Sequence, residues 1–390
     1  MIKIYLKKGK EKPVVMGHPW IFNGAIANVT GEGKPGQLCR VYSAQNEFLG
    51  VGYYNPVSAI SVRMFSVKEE TFTAEFLEQR ILSAIELRKL SISNDTDSYR
   101  LINSEGDFIP GLIVDVYAGG LVVQILTAGI ENLKDQIIGL LQKVMNPTFI
   151  YERSDTEART REGLEDSNGL IVGTVPESMT LREQNLKFKA DVAGGQKTGF
   201  FFDQRQNREI LKSYAYSRVM CDCFCYSGAF SVYALAGGAK HVDAVDISKP
   251  ALGWARENVL LNNFDSSKID FTNADIFKYL RETESRYDLI VLDPPKFARH
   301  AGEVDRAARG YKDINLLGFK KIEVGGILFT FSCSNAIEPR LFRQIVFAAA
   351  ADAHRKIQLL HVLSAGPDHP VNIAHREGEY LKGLVLRVLE

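Results

Sequence analysis

The sequence predicts a multidomain protein: a small β-barrel or sandwich over residues 1–70, a central α+β domain over 71–185, and an α/β domain with a doubly wound, mostly parallel sheet over 186–390. Three observations carry this. Short alternating runs broken by Gly, Pro and Asn fill the first part. Helical and strand-like stretches mix in the second. From Leu186 onward, apolar strand runs alternate with helical ones at the spacing of βαβ units.

In chain order, KIYL (3–6), QLCRVYS (37–43), FLGVGYY (48–54) and AISVRMF (59–65) read as the strands of the first module. Phe72 to Leu90 places Phe76, Leu77, Ile81, Leu82 and Ile85 at helical spacing, and IPGLIVDVY and LVVQIL follow as strands. A helix over Asn132 to Met145 is broken by Asn146-Pro147 before the strand TFIYE. The last part alternates VMCDCFC, a helix through Val232 to Ala236, HVDAVDI, a helix around Leu252 to Asn262, KIDFTNAD, DLIVLD, a helix through Ile314 to Ile322, GGILFTFSC, and a helix near Leu341 to Ala353.

Composition narrows the classes. The chain has 390 residues, 45% hydrophobic, with 47 basic against 47 acidic side chains, which is ordinary for globular protein. No apolar stretch approaches the roughly 20 residues needed to span a bilayer, and the lysine-rich start lacks a signal-like apolar region, so a cytoplasmic protein is expected. Five cysteines (Cys39, Cys221, Cys223, Cys225 and Cys333) suit a reducing compartment better than a disulfide framework. The alternation Cys221, Cys223, Cys225 reads as strand packing rather than a zinc site, because alternate residues lie about 6 to 7 Å apart. The seven histidines form no ligand pattern, so no metal is expected. Charge is uneven locally: up to Arg40, seven basic residues face only Glu11 and Glu32, interleaved with Tyr5, Trp20 and Phe22, which suits phosphate contact and base stacking as well as a plain solvated face.

The chemistry-bearing residues fall at strand ends. Asp293-Pro294-Pro295-Lys296 follows LIVL (289–292), and Ser332-Cys333-Ser334 follows ILFTF (327–331). In an open α/β sheet, ligands collect beyond the carboxyl ends of strands, so an acid and a thiol there face one pocket. Asp222 precedes a turn, Cys225 to Phe230, in which Gly228 lets backbone approach a ligand. Asp246 ends the next strand, 24 positions after Asp222, near the interval at which an acid accepts ribose hydroxyls. The pyrophosphate loop G-x-G-x-x-G is absent, so a nucleoside cofactor fits better than a dinucleotide.

With Asp275 after the third strand and DPPKF after the fourth, the order resembles class I S-adenosylmethionine-dependent methyltransferases. Nearly end to end, GHPWIF (17–22), LGVGYYNP (49–56), INSEGDFIPGLIVD (102–115), TGFFFDQRQNR (198–208), LDPPKFAR (292–299), FSCS (331–334) and YLKG (380–383) resemble the RlmI-type 23S rRNA cytosine-C5 methyltransferases. The resemblance implies an N-terminal PUA-like RNA-binding domain, a central domain and a C-terminal Rossmann-like methyltransferase domain with a seven-stranded sheet. It also implies S-adenosylmethionine as cofactor, 23S rRNA or a large-subunit precursor as partner, and a homodimer. By position, Asp246 then holds the ribose and Asp275 lies near the adenine. Asp222, Ser227, Gly228 and Asp293 shape the methionine end, and Phe201, Asp203 and Arg205 close the pocket. Two departures stand out: the turn FCYSGAF lacks an earlier glycine, and NIAHREGEYLKG lacks a proline common in the family.

Cytosine C5 is a poor nucleophile until a thiolate adds to C6. Cys333 is the candidate thiolate, and Asp293 the acid at N3. Lys296 and an ordered water are the two candidates for removing the C5 proton. Two other readings stay open: methylation of a base nitrogen such as guanine's, since Asp-Pro-Pro also serves exocyclic amines, and a non-catalytic RNA-binding factor in ribosome assembly.

Overall fold

The structure, a computed structural model, describes residues 1–70, 73–194, 199–298 and 300–390. Phe72, Thr198 and Arg299, which fall in stretches singled out above, lie outside the described residues. The chain forms two compact units. One comprises Met1–Gln184, Ala190–Phe202 and Pro367–Gly378; the other comprises Asn185–Lys189, Asp203–Gly366 and Glu379–Glu390.

The first unit carries two sheets. Strands β1 (Ile2–Leu6), β2 (Trp20–Ile21), β3 (Ile26–Thr30), β4 (Gln37–Tyr42), β5 (Phe48–Tyr54) and β6 (Val62–Ser66) pair in the order β2-β6-β5-β4-β1-β3, with the short helix α1 (Lys12–Val15) between β1 and β2. Ile4, Val41 and Val62 are fully buried in their core. Helix α2 (Ala74–Ser91) starts where the Thr73 hydroxyl accepts the amide of Phe76 at 3.2 Å, a side-chain N-cap. Strands β7 (Tyr99–Asn103), β8 (Leu112–Tyr117), β9 (Gly120–Ile125), β10 (Phe149–Arg153) and β11 (Asn168–Gly173) form a five-stranded sheet. Helices α3 (Ala128–Glu131), α4 (Lys134–Met145) and α5 (Glu157–Arg161), then β12 (Met179–Glu183), complete the main run. The late segment Pro367–Gly378 belongs here because Asp368 serves it: the Asp368 carbonyl accepts from the buried Arg88 guanidinium at 2.8 Å, and its carboxylate accepts the Arg100 amide at 3.1 Å.

The second unit begins with β13 (Leu186–Ala190), whose last residue falls in the other unit, and α6 (Arg205–Tyr214). Then β14 (Val219–Cys223), α7 (Ala229–Ala236), β15 (His241–Asp246), α8 (Lys249–Leu261), β16 (Ile269–Asn273), α9 (Ile276–Glu282), β17 (Tyr287–Leu292), α10 (Val304–Lys321) and β18 (Ile322–Ser332) alternate strictly. Helix α11 (Pro339–Asp352), β19 (Ile357–Leu363) and β20 (Lys382–Val388) close the chain. The seven-stranded sheet runs β16-β15-β14-β17-β18-β20-β19, with the first five strands parallel and β20 antiparallel to both neighbours. Central strands are apolar runs because helices cover both faces; Leu289, Ile290, Val291 and Leu292 of β17 are all fully buried. Strand order reverses between β14 and β17, which opens a crevice at their carboxyl ends.

Candidate active site

Parallel register brings the expected groups to one edge. Cys223 of β14 pairs with Leu292 of β17, and Leu292 pairs with Thr330 of β18. Asp222 therefore lies in β14 one residue from its end, Asp293 follows β17 directly, and Cys333 follows β18 directly.

Asp222 is buried. Its Oδ2 accepts the Ser231 amide at 3.0 Å and the Ser231 hydroxyl at 2.6 Å, while Oδ1 has no hydrogen-bond partner among the described residues. Burial pushes its carboxyl up to about 7, and the charges of Asp293 and Asp246 push the same way against the Ser231 hydrogen bonds. The three acids thus repel one another, and a cation placed among them relieves that repulsion.

The turn after β14 explains how the chain manages without the earlier glycine. Phe224 (φ 63°) and Tyr226 (φ 49°) take left-handed backbone themselves, as does Gly228 (φ 70°). Each such non-glycine residue stores about 1–3 kcal/mol of strain, a cost typical of sites where backbone must present itself to a ligand. Gly228 caps α7, and a Cβ added there meets the Ala255 Cβ at 2.8 Å. Gly228→Ala is expected to lower unfolding free energy by about 2 kcal/mol or more in urea titration, because left-handed backbone and the clash both oppose a side chain. Ser227 is buried, and its carbonyl accepts from the Asn258 side chain at 2.8 Å.

Asp246 is held rigidly, with Oδ2 accepting the Tyr226 amide at 2.9 Å and Oδ1 the Ser248 amide at 2.8 Å. The Ala274 amide reaches the Asp246 carbonyl at 3.1 Å, and the exposed Asp275 that follows caps α9 through the Lys278 amide at 2.9 Å. Asp203 is buried and accepts the Tyr380 hydroxyl at 2.6 Å; Arg205, also buried, opens α6. Phe201 is half-buried and belongs to the first unit.

Sequence reasoning passed over Gln204. Its Oε1 accepts from the Asn207 side chain at 2.6 Å, which turns its Nε2 to donate to Asp293 Oδ2 at 3.0 Å. Its position inside TGFFFDQRQNR was the available signal. Cys333 is partly exposed, whereas the other four cysteines are buried. Ser334 beside it is pinned: its hydroxyl lies 3.0 Å from the Tyr311 hydroxyl and accepts the Ala298 amide at 3.3 Å.

Three further expectations meet their geometry here. The Cys221 and Cys223 sulfurs lie 3.5 Å apart, closer than the spacing of alternate residues suggested, because the side chains lean together; both are fully buried in the core between sheet and helices. His241 Nε2 stands 3.3 Å from Asp243 and 3.2 Å from Asp270, a charge cluster on β15 and β16 that the sequence reading missed. Trp20 is occupied within the first unit: its indole donates to Glu105 at 2.7 Å, and Arg63 and His375 pack on its ring. Phe22 is 47% exposed, and Tyr5 stacks on Tyr42 with ring centroids 5.4 Å apart.

The sheet order and the acids at its switch point define a class I S-adenosylmethionine-dependent methyltransferase fold. Residues 111–376 match the family described as S-adenosylmethionine-dependent methyltransferase, and residues 4–67 match the PUA-like domain. A protein named ribosomal RNA large subunit methyltransferase I from Tolumonas auensis is 43% identical over 393 residues, covering 99% of both chains. Its namesake from Aeromonas hydrophila is 44% identical over 391 residues, covering 98% of both. The chain belongs to this family of PUA-bearing S-adenosylmethionine-dependent methyltransferases, and S-adenosylmethionine is its cofactor. The fold is shared at 23% identity with a methyltransferase solved in complex with SAH (TM-score 0.88) and with a methyltransferase from Streptococcus mutans (TM-score 0.86), each match covering 100% of both chains.

Proposed function

We propose that this protein methylates C5 of a cytosine in large-subunit ribosomal RNA, with Cys333 as the nucleophile that activates the ring. The relatives' name supports the RNA class. The observation that carries the carbon-directed chemistry is the placement of the one cysteine that is not buried directly beyond β18, next to the strand that Asp293 follows. Methylation of a base nitrogen gives that thiol no task.

The residues at the crevice fit the cofactor, whose ammonium and sulfonium are cations and whose ribose and adenine amine are donors, because the site is a set of acceptor carboxylates with one orphaned buried oxygen on Asp222. In this reading Asp222 meets the cationic methionine end beside Ser227 and Gly228, Asp246 the ribose, and Asp275 the adenine. Asp203 and Arg205, at the start of the second unit's main run, support the pocket wall. When bound, S-adenosylmethionine supplies the electrophilic methyl group that C5 accepts. The Cys333 thiolate forms a bond to C6, the ring π pair moves to make C5 nucleophilic, and Asp293, oriented by Gln204, offers a carboxyl proton to N3. Loss of the C5 proton then re-forms the double bond and expels the thiolate, while N3 returns its proton to the Asp293 carboxylate; Lys296 is the residue we assign to the C5 proton. The PUA-like part (1–70) contacts RNA, the central part (71–185) guides it, and 186–390 performs catalysis, in the cytoplasm where ribosomes are built.

The test is RNA carrying 5-fluorocytidine at the target base. Fluorine cannot leave as a proton does, so the enzyme is expected to remain joined to the RNA through Cys333, detected as a band resistant to denaturing electrophoresis and mapped by mass spectrometry. Full turnover with no adduct would remove the carbon-directed reading.

A further inference from the structure

A thiol works as a nucleophile only as thiolate, and a free one is mostly protonated at neutral pH. Something near Cys333 therefore has to favour the anion, and the geometry singles out Lys382. It opens β20, paired across the sheet with Ser332, the residue before Cys333. The Lys382 ammonium reaches over the turn and donates to the carbonyls of Ser334 and Ile337, each at 2.7 Å. It clamps the turn on the carboxyl side of the thiol.

The Lys382 side chain is also a buried cation without a counter-ion. The residue is 6% exposed, and among the described residues no carboxylate lies within 4.0 Å of its nitrogen. The two carbonyls take two of its three hydrogens but do not neutralise its charge, and an unpaired buried charge is costly. Burial lowers its pKa to about 8, Lys296 adds to the lowering, and negative charge on Cys333 opposes both. At neutral pH the group therefore remains mostly ammonium, and the anion that completes it is the thiolate next door. Tyr311, on α10, lies against the same turn, its hydroxyl 3.0 Å from that of Ser334; its phenol is pushed up by burial, and negative charge on Cys333 pushes the same way, so it stays neutral.

We propose that Lys382 is a positioning residue for Cys333: it fixes the turn through two carbonyls and supplies the positive field that holds the sulfur as thiolate before it meets the base. The ionisation sends the thiol proton to solvent and leaves the electron pair on sulfur, next to the ammonium. When the S–C6 bond forms, negative charge moves from sulfur into the ring, where the N3 acid receives it. The inference rests on the reading of Cys333 as nucleophile.

The experiment reads the thiol and not turnover. Full-length protein is alkylated with iodoacetamide between pH 5.5 and 10, and the rate at Cys333 is followed by peptide mass spectrometry in wild type, Lys382→Gln and Lys382→Met. The wild-type thiol is expected to titrate below the ordinary value of about 8.5. Glutamine retains two N–H donors for the clamp but removes the charge, so both variants are expected to raise the midpoint by about one pH unit or more. A midpoint unchanged in both overturns the charge role. A purely structural clamp predicts wild-type behaviour for Lys382→Gln and a change only for Lys382→Met, and that pattern also overturns it. Should neither variant fold, judged by SAH binding and melting temperature, a wild-type midpoint at or above about 8.5 suffices to reject the proposal, and a lower one supports it. Failure here leaves the 5-fluorocytidine adduct intact, so it is distinct from failure of the nucleophile assignment.

Discussion

Cys333→Ala is expected to abolish methyl transfer, lowering kcat by about 10⁴-fold or more, because the covalent step has no substitute in the site. RNA and SAH affinities should stay within a few-fold of wild type, since Cys333 is only partly exposed and its neighbour Ser334 is anchored independently by Tyr311 and Ala298. The measurement is tritium transfer from labelled S-adenosylmethionine to large-subunit RNA, with titration calorimetry for SAH. Residual turnover within about tenfold of wild type, with the product still 5-methylcytidine, would falsify the thiol mechanism. The same activity with product on a nitrogen points to the amine-directed reading.

Asp222→Asn is expected to weaken SAH about 10- to 100-fold at pH 8, the worth of a hydrogen bond from a charged donor to a buried carboxylate. The pH dependence gives the sharper signature. The Asp222 carboxyl sits at about 7 in the cofactor-free protein, so below that pH it holds a proton, and a cationic ligand has to displace it. Wild-type affinity should therefore rise with pH, by up to about tenfold per unit, and level off above 7. The slope disappears in Asp222→Asn, which has no proton to release. Calorimetry in buffers of different ionisation heat counts that proton directly; an identical slope in both proteins assigns the effect elsewhere. For folding the sign is opposite. A carboxyl raised from its ordinary 3.8 contributes stability that is fully present at low pH and is lost as pH rises through about 7, until a cation compensates the charge.

Much of the catalytic unit was legible in the sequence because central strands of a parallel sheet are largely apolar runs separated by helices. VMCDCFC and HVDAVDI contain their strands whole, DLIVLD covers all but the first residue of β17 and GGILFTFSC all but the first three of β18, and their ends located Asp222, Asp246, Asp293 and Cys333. Helix starts were read late, since α10 begins at Val304 and not Ile314: its first turns, VDRAARGYKD, bury only Ala307 and Tyr311 and give little periodicity. Strands β19 and β20 were not placed individually, although KGLVLRV is an apolar run, because only pairing with β18 in the antiparallel sense reveals it as part of the sheet. Gln204 and Lys382 lie inside TGFFFDQRQNR and YLKG, but what each touches was not legible, for a related reason. Both act through partners remote in sequence, Asp293 in one case and the turn after β18 in the other, and no local pattern encodes those encounters.

The guanidinium of Arg88 is buried, paired with Asp107 and bonded to the carbonyl of Asp368 from a segment 280 residues further along the chain. During synthesis, then, the N-terminal body emerges with a charged group whose last acceptor has yet to be translated, and it completes itself only after nearly the whole catalytic stretch has left the ribosome. The first unit is consequently no interchangeable cassette: cutting it free at the chain's midpoint removes the residue that finishes its interior.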